Sequence, residues 1–307
     1  MKALSHAKYG RPDVLELREL PDPTPGPDEV RVRVRAAGLN PKDSFLRMGR
    51  PAWTRIVGGR LPRGVGFDFA GEREDTGERV YGMIDGFRGA TCAERVCVPL
   101  SHLAPIPAGL SFTDAAGLPL VMLTALQALR DVGALQPGAK VLVYGASGGV
   151  GTAALQLAKA LGASEVVSVS GAGNLELCRS LGADLALDYR ADALPPPGRR
   201  FDVVFDTIGR QRLGPWREAL TQPGVLVGTT PAPDFMLSVA ATAFSSRRAR
   251  LVAVRGRSAD LLTINRLIEA GKLKPIIDSI FPFTSASLAF AKLETRRARG
   301  KIVLQVD

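Results

Sequence analysis

The stretch that decides the fold is KVLVYGASGGVG (residues 140–151), which continues as TAALQLAK (residues 152–159). An apolar segment, residues 141–143, turns through glycines directly into apolar residues at helical spacing. This pattern predicts a buried strand that is followed at once by a helix. The segment from residue 145 to residue 151 is called the glycine turn below.

A strand that turns through glycines into a helix is where the pyrophosphate of a dinucleotide binds. Glycines let backbone N–H groups approach the phosphates, and the helix N-terminus adds partial positive charge. Ala146, Gly148 and Gly151 occupy the three fingerprint positions, with Ala in place of the first Gly. The alternative is a tight strand-to-helix turn that binds nothing. The cofactor contacts predicted here are Ala146, Ser147, Gly148, Gly149 and Val150.

The end of the next predicted strand, residues 165–170, indicates which dinucleotide is bound. NAD enzymes usually present Asp or Glu to the ribose about 20 residues past the glycines. This chain instead reads SGAGN over residues 170–174, so no carboxylate there repels a 2′-phosphate. Ser170, Asn174, Tyr189 and Arg190 could hydrogen-bond or pair with that phosphate. The sequence therefore predicts NADPH.

The organisation of the chain favours two domains, since 307 residues exceed one ordinary domain of about 150. Up to residue 112 the pattern is β-rich and broken by Pro and Gly; residues 29–35 alternate apolar and charged side chains as a half-buried strand does. A helix cap is expected at Thr113, and strands then alternate with helices, which predicts a doubly wound parallel sheet. The tail from residue 280 returns to β character. We expect residues 1–112 with 278–307 as one domain and residues 113–277 as the other.

The element boundaries predicted for the second domain follow from the same periodicity. The strands are expected at residues 165–170, 185–187, 201–206, 224–228 and 250–254, and the helices at residues 175–181, 216–220 and 259–270.

Composition excludes several classes of function. No apolar run is long enough to span a bilayer and the N-terminus lacks a signal-peptide core, so we expect a cytoplasmic protein without membrane contact. The formal net charge is +10, but the basic residues are scattered, and only residues 247–250 and 296–299 are densely basic. We interpret this as a solvated basic surface that also attracts an anionic cofactor, with nucleic-acid binding as the weaker alternative. Two histidines and three cysteines without metal-site spacing predict no metal.

Several motifs together resemble one family almost from end to end. They are AGLNPKD (residues 37–43), GFDFAG (66–71), GLSFTDAA (109–116), LTA (123–125), the glycine turn, LGAD (181–184), DYR (188–190), FDVVFDTIG (201–209) and RGKIVL (299–304). In this order they resemble the zinc-free quinone oxidoreductase branch of the medium-chain dehydrogenase/reductase superfamily. The resemblance implies a Rossmann sheet inserted in a GroES-like substrate domain, and NADPH-dependent reduction of quinones or α,β-unsaturated carbonyl compounds, usually by a homodimer.

The resemblance also implies roles for individual residues. Asn40, Asp43 and Thr124 are expected at the catalytic site, with Asn40 and Thr124 on opposite sides of the nicotinamide. Each has an ordinary alternative: Asn40 as a turn former, Asp43 as a helix cap, and Thr124 with its hydroxyl bonded back to its own helix. Tyr9 and Tyr81 could donate the proton, although water could supply it as well. Further cofactor contacts are expected from Thr207, Gly228, Val254 and Lys301.

Two departures from relatives affect the interpretation. Zinc-dependent relatives place Cys where this chain has Asn40, and Gly-His-Glu near Asp68, so the resemblance implies chemistry without zinc. Residues 72–76 are shorter than the corresponding segment of the family, which bears on the substrate domain. Two other functions stay open: an enoyl reductase acting on a biosynthetic intermediate, and a cofactor-binding scaffold without turnover.

Overall fold

The computed structural model describes residues 1–306 and divides the chain into two compact units. Unit 1 combines Met1–Leu123 with the C-terminal segment that begins at Arg255, and unit 2 is Thr124–Val254. Within the described residues, no helix is long and apolar enough to cross a membrane.

The regular elements are numbered in chain order. The strands are β1 (Lys2–His6), β2 (Glu16–Glu19), β3 (Glu29–Leu39), β4 (Arg63–Gly64), β5 (Asp68–Arg73), β6 (Arg79–Met83), β7 (Arg95–Pro99), β8 (Leu103–Pro105), β9 (Lys140–Tyr144), β10 (Glu165–Ser170), β11 (Leu185–Asp188), β12 (Phe201–Asp206), β13 (Leu220–Gly228), β14 (Arg247–Leu251), β15 (Ile277–Pro282) and β16 (Lys301–Gln305). The α-helices are α1 (Pro41–Met48), α2 (Thr54–Val57), α3 (Phe112–Ala116), α4 (Pro119–Leu126), α5 (Gly149–Ala160), α6 (Leu175–Ser180), α7 (Leu213–Trp216), α8 (Pro233–Ala241), α9 (Ser258–Glu269) and α10 (Ala286–Glu294).

Unit 2 is built on a six-stranded parallel sheet in the order β11-β10-β9-β12-β13-β14. The order runs outward from β9 in both directions, which is the doubly wound arrangement with its switch point between β9 and β12. Val141, Leu142 and Val143 of β9 are fully buried, as a central strand covered on both faces requires. The predicted parallel sheet is confirmed.

Unit 1 contains a three-stranded sheet, β2-β1-β4, and a seven-stranded sheet in which β3 pairs with β5, β7 and β16. Val30, Val32 and Val34 of β3 face the core while the arginines between them are more exposed. The half-buried strand predicted from this alternation is therefore confirmed. The C-terminal strands β15 and β16 join this sheet, with β16 paired to β3. The expected GroES-like, mostly β character is confirmed as well.

The boundaries of the two units differ from the predicted domain boundaries at both ends. Residues 113–123 and 255–277 belong to unit 1 because α3 and α9 pack on its strands. Asn265 of α9 accepts a hydrogen bond from Tyr81 Oη at 2.5 Å and donates to Pro105 O at 2.8 Å. These bonds fix α9 to β6 and β8. They join residues far apart in the chain, so they could not be predicted from sequence periodicity.

Several predicted element boundaries are corrected. The helix expected from Thr113 begins at Phe112, and its cap is Ser111, whose Oγ accepts from the Asp114 N–H. The strand expected at residues 250–254 is β14, displaced toward the N-terminus, because its register with β13 pairs Gly224 with Arg247. The helix expected at residues 216–220 is α7 with a short 3-10 turn after it. The C-terminal tail, expected to be β only, also contains α10.

The short segment at residues 72–76 forms a tight hairpin between β5 and β6. Gly77 has a φ of +74° there, and the Gly77 N–H donates to Arg73 O at 2.9 Å. Strand pairing is kept up to Glu72 with Arg79, so the shortening changes the turn and leaves the strands intact.

Candidate functional site

The glycine turn of unit 2 is held against β10 by two backbone hydrogen bonds. The N–H groups of Gly145 and Ala146 both donate to Val169 O at 3.0 Å. Gly145 has a φ of +80°, which favours glycine, and Gly148 is the N-cap of α5. A Cβ on Gly151 would lie 2.3 Å from Gly145 O, so only glycine lets the helix approach its own strand.

Gly148 leaves open space at the start of α5. A Cβ built there would meet only Gly145 O, at 3.6 Å, and Gly148 has no side chain to accept the first helical N–H groups. The first N–H groups of a helix lack acceptors within the helix, so they and the positive helix end are offered to an anion. Gly149 and Val150 are the first two residues of α5. The turn therefore fits a pyrophosphate.

The four residues predicted for the 2′-phosphate lie together at the C-terminal ends of β10 and β11. Asn174 Nδ2 donates to Ser147 Oγ at 3.1 Å, and the Tyr189 N–H donates to Ser170 O at 3.0 Å. The guanidinium of Arg190 lies 5.2 Å from the centre of the Tyr189 ring. Tyr189 and Arg190 are exposed, which leaves a cation and a hydroxyl at the end of β11, the strand next to β10.

Three other predicted cofactor contacts in unit 2 have packing roles in this structure. Thr207 Oγ1 donates to Tyr144 O at 2.9 Å, which ties the ends of β9 and β12 together. Gly228 ends β13, and a Cβ on it would lie 2.6 Å from the Phe235 ring. Val254 is half-buried and follows β14. Thr207 and Gly228 shape the sheet edge where the cofactor is expected, and their direct contact with it stays a prediction.

A buried polar network in unit 1 joins Asn40, Asp68 and Lys301. Lys301 Nζ donates to Leu39 O at 2.8 Å, to Asn40 Oδ1 at 2.6 Å and to Asp68 Oδ2 at 2.9 Å. Asp68 Oδ1 accepts from the Leu120 N–H at 2.8 Å. An ammonium has three N–H donors, and all three of Lys301 are used here. The residue expected to contact the cofactor is thus the internal cation of this network.

The side chain of Asn40 is also committed to this network. Its Nδ2 donates to Asp68 Oδ2 at 3.0 Å and to Gly38 O at 3.3 Å, and its Oδ1 accepts from Lys301. With a 1% exposed surface, it presents no spare donor to a substrate carbonyl. Asn40 is more than a simple turn former, because its amide crosslinks three segments of unit 1.

Asp43 caps α1 and also lines a cavity. Its Oδ2 accepts from the Asn40 N–H and its Oδ1 from the Gly66 N–H, both at 2.8 Å. The cap alternative is therefore confirmed for Asp43. Burial raises its pKa to about 6, and the two backbone donors and the Lys301 charge act in the opposite direction.

Thr124 carries a buried hydroxyl without a hydrogen-bond partner among the described residues. The side chain is 5% exposed and lies in α4. The alternative in which the hydroxyl bonds back to its own helix is wrong. A buried hydroxyl without a partner costs about 1–3 kcal/mol, and contact of the Thr124 hydroxyl with the nicotinamide stays a prediction.

Of the two tyrosines considered as proton donors, only Tyr81 has its hydroxyl hydrogen committed to a hydrogen bond. Tyr81 is fully buried with its hydroxyl bonded to Asn265, and burial raises its pKa. Tyr9 Oη accepts from Arg63 at 2.8 Å. Both tyrosines serve packing and hydrogen bonding within unit 1.

Unit 1 also contains a cavity of about 660 Å³ that sequence reasoning missed. Asp43, Phe67 and Phe87 form part of its wall. Its other charged residues are Arg55, Arg60, Arg63 and Arg88. The signal in the sequence was the recurrence of arginine between residues 47 and 63, which gave no basis for placing these side chains around one space.

A metal site was not expected, and the described residues contain no group of three or more His, Cys, Asp or Glu side chains placed to hold an ion. Asn40 and Asp68 instead surround the Lys301 ammonium.

Comparison with known proteins matches both parts of the chain. The family model described as alcohol dehydrogenase GroES-like domain matches residues 26–108, and the model described as zinc-binding dehydrogenase matches residues 181–304. The chain is 34% identical to the 2-methylene-furan-3-one reductase of Solanum lycopersicum over 99% of this chain and 79% of that protein.

Two further similarities cover the chain equally well. The chloroplastic NADPH-dependent alkenal/one oxidoreductase of Arabidopsis thaliana is 34% identical over 99% of this chain and 79% of that protein. The solved structure of the quinone oxidoreductase from Coxiella burnetii superposes with a TM-score of 0.91 at 31% identity, over 100% of this chain and 99% of that one.

Proposed function

Since the chain belongs to the quinone oxidoreductase branch of the medium-chain dehydrogenase/reductase superfamily, we propose that it reduces quinones or the C=C bond of α,β-unsaturated carbonyl compounds with NADPH and without a metal. The observation that carries the proposal is the open glycine turn at Gly148, with no acid at residues 171–174 and with Arg190 exposed just after β11. The relatives named above for NADPH-dependent alkenal/one reduction and quinone oxidoreduction support the same chemistry.

The residues of unit 2 would hold the cofactor. The N–H groups at the start of α5 bind the pyrophosphate, and Ser170, Asn174, Tyr189 and Arg190 receive the 2′-phosphate. Thr124 supplies the hydroxyl that lacks a partner, and we assign it to the nicotinamide amide. NADPH, when bound, supplies the hydride.

The residues of unit 1 would fix the geometry on the substrate side. Asn40, Asp68 and Lys301 form a neutralised and saturated network, so they fix the start of α1, which lines the cavity, to β5 and β16. Rigid positioning is a recognised source of rate in such reactions. The Tyr81 hydroxyl already donates to Asn265, and we assign the proton that completes the reduction to water.

NADPH oxidation tests the proposal directly. We expect the purified protein to oxidise NADPH in the presence of a simple enone or naphthoquinone, and to bind NADPH more tightly than NADH. Turnover only of enoyl thioesters would favour the biosynthetic enoyl reductase. NADPH binding without oxidation across the panel would favour the scaffold.

We also propose a homodimer that acts in the cytoplasm. Cys92, Cys97 and Cys178 are free thiols, which suits a reducing compartment. In unit 2, β14 is an edge strand, and Leu237 and Phe244 near it are 71% and 104% exposed, which supports a surface that is covered by a second copy. Light scattering of wild type and of Phe244→Asp tests this, with a dimer and a monomer expected respectively.

A further inference from the structure

The cavity of unit 1 has an unbalanced charge. Arg55, Arg60, Arg63 and Arg88 line it, while Asp43 is its one acidic wall residue among the described part of the chain. Both carboxylate oxygens of Asp43 already accept backbone N–H groups. Asp43 makes no ion pair with these arginines within residues 1–306, and its single charge is outnumbered by their four.

Arg63 is a buried cation of the cavity wall that hydrogen bonds hold in place. Its side chain is 9% exposed, and its terminal nitrogens donate to Tyr9 Oη at 2.8 Å and to the carbonyls of Arg55 and Gly59. No carboxylate pairs with it within residues 1–306, and its Nε is buried without an acceptor. Burying a guanidinium without a carboxylate is costly, so a structure that keeps one at a cavity wall has an anion as its natural partner.

Arg60 and Arg88 are two arginines of the cavity wall whose positive charges are unpaired among the described residues. Both are exposed, both line the cavity, and neither makes an ion pair or side-chain hydrogen bond within residues 1–306. Arg55 is held by one bond, from its Nε to Gly49 O at 3.1 Å, and it stacks at 5.0 Å on the Tyr9 ring. Three guanidinium groups can thus turn donors toward the cavity.

The remaining wall is suited to a flat, apolar group. Phe67 and Phe87 line the cavity, and Lys42 Nζ lies 3.9 Å from the centre of the Phe67 ring and 5.0 Å from that of Phe87. Ile56 and Val65 add aliphatic surface. An aromatic face beside a cationic rim matches a conjugated ring or chain that carries a negatively charged substituent.

We propose that this cavity selects anionic substrates, namely enones or quinones that carry a carboxylate or sulfonate group. Arg55, Arg60 and Arg88 bind the anionic group, and the buried charge of Arg63 adds to the attraction. The inference rests on the proposed reductase function and names its substrate class. In the reaction, hydride from NADPH forms a C–H bond at one alkene carbon while the C=C π bond breaks, and water protonates the other carbon. The products are NADP⁺, hydroxide and the saturated keto acid, and the anionic group is unchanged.

The test compares a substrate with its uncharged ester. Benzoylacrylate and methyl benzoylacrylate share the enone, so the ratio of their kcat/KM values reports on the carboxylate. We expect wild type to prefer the acid by about tenfold or more at low salt, and the preference to shrink as ionic strength rises. The double variant Arg60→Gln/Arg88→Gln should lower the ratio by about tenfold. The double variant Arg33→Gln/Arg297→Gln removes an equal charge from exposed positions of the same unit outside the cavity and should leave the ratio unchanged.

Binding of the saturated product analogue gives a reading that does not need turnover. Calorimetry with benzoylpropionate should show weaker binding to the double variant than to wild type. If neither enone is reduced but this binding difference holds, the proposed reductase function fails and the anion site stands. A wild-type ratio near one, equal binding by the double variant, or a rise in KM for NADPH with the acid-to-ester ratio unchanged would each overturn the anion site.

Discussion

At the scale of single residues, the most informative atom is one that makes no bond. Thr124 Oγ1 is buried without a partner among the described residues, whereas Asn40 and Lys301, two other predicted site residues, have every donor used. We therefore propose direct ligand contact for the Thr124 hydroxyl. For Asn40 and Lys301 we propose a role in holding the site in place.

Thr124→Val should separate binding from stability. Removing a buried hydroxyl that has no partner should leave the free energy of unfolding of the cofactor-free protein unchanged or raise it by about 1 kcal/mol. The same change should lower kcat/KM by about tenfold, because the bound cofactor loses a hydrogen bond. Urea unfolding and steady-state kinetics measure the two effects, with Thr124→Ser as the control that keeps the hydroxyl. Wild-type kinetics in the valine variant would contradict the assignment.

Asp43 should give the protein a distinctive pH dependence of stability. Its folded pKa of about 6 exceeds its ordinary value of 3.8, so the folded state holds a proton that the unfolded state has lost between these pH values. The contribution of Asp43 to stability is therefore complete below about pH 4, falls as the pH rises to about 6, and stays constant at higher pH. A shift of about two pKa units makes the total loss about 3 kcal/mol of unfolding free energy.

Urea unfolding of wild type and Asp43→Asn across this range isolates the effect from other titrating groups. We expect the asparagine variant to lose more stability at about pH 4 than at about pH 7. A difference that grows toward neutral pH would mean that the folded carboxyl titrates below its ordinary range.

At the scale of elements, the glycine turn and α9 show two ways in which a segment acquires its place. The turn is specified locally, because the positive φ of Gly145 and the close approach of Gly151 to Gly145 O both require glycine within a few residues of the turn. Helix α9 is specified by distant partners, since Asn265 bonds to Tyr81 and Pro105 far along the chain.

Gly148→Ala should remove cofactor binding while the fold stays intact. Its φ of −79° suits alanine and the added Cβ enters open space, so the melting temperature should hold. That space is where we expect the phosphate, so NADPH affinity measured by fluorescence titration should fall at least about tenfold. Gly214→Ala, which also enters open space in unit 2, is the matched control. Equal affinities in the two variants would place the phosphate elsewhere.

Asn265→Leu should destabilise the attachment of α9. The substitution leaves the Tyr81 hydroxyl buried without its partner, which costs about 1–3 kcal/mol, whereas the carbonyl of the exposed Pro105 can turn to water. We expect the free energy of unfolding to fall by about 1–3 kcal/mol, measured in urea. Glu269→Ala, on the exposed end of the same helix, serves as the control and should change it by less than about 0.5 kcal/mol. An unaltered stability in Asn265→Leu would show that α9 is not tied to unit 1 by these bonds.

At the scale of the whole molecule, each unit contributes a separate part of the proposed reaction. Unit 2 carries the glycine turn and the exposed Arg190, and unit 1 carries the network of Asn40, Asp68 and Lys301 and the arginine-lined cavity. The lysine in the network supplies the positive charge that Asn40 and Asp68 surround, so the residues present call for no metal there.

Turnover should therefore be independent of metal. Dialysis against a chelator, followed by assay of NADPH oxidation with an enone, should leave the rate unchanged. Addition of zinc to the dialysed protein should not increase it. A rate that falls on dialysis and returns with zinc would contradict the zinc-free interpretation.

The sequence by itself determined the features that depend on neighbouring residues. The alternation of β3, the buried β9 and the glycine turn could be read from local period and composition, because each is fixed by steric and solvation demands within about a dozen residues. Motif order was enough to indicate the superfamily and the doubly wound sheet.

Only the tertiary structure decided which distant side chains share a site. Asn40, Asp68 and Lys301 meet because β3, β5 and β16 lie side by side, and Arg63 and Arg88 meet around one cavity although 25 residues separate them. Hydrogen-bond saturation and charge balance depend on three-dimensional neighbours, and local periodicity does not encode those neighbours. For that reason the roles of Lys301 and Asn40, the attachment of α9 and the anionic character of the cavity's ligand came from the fold.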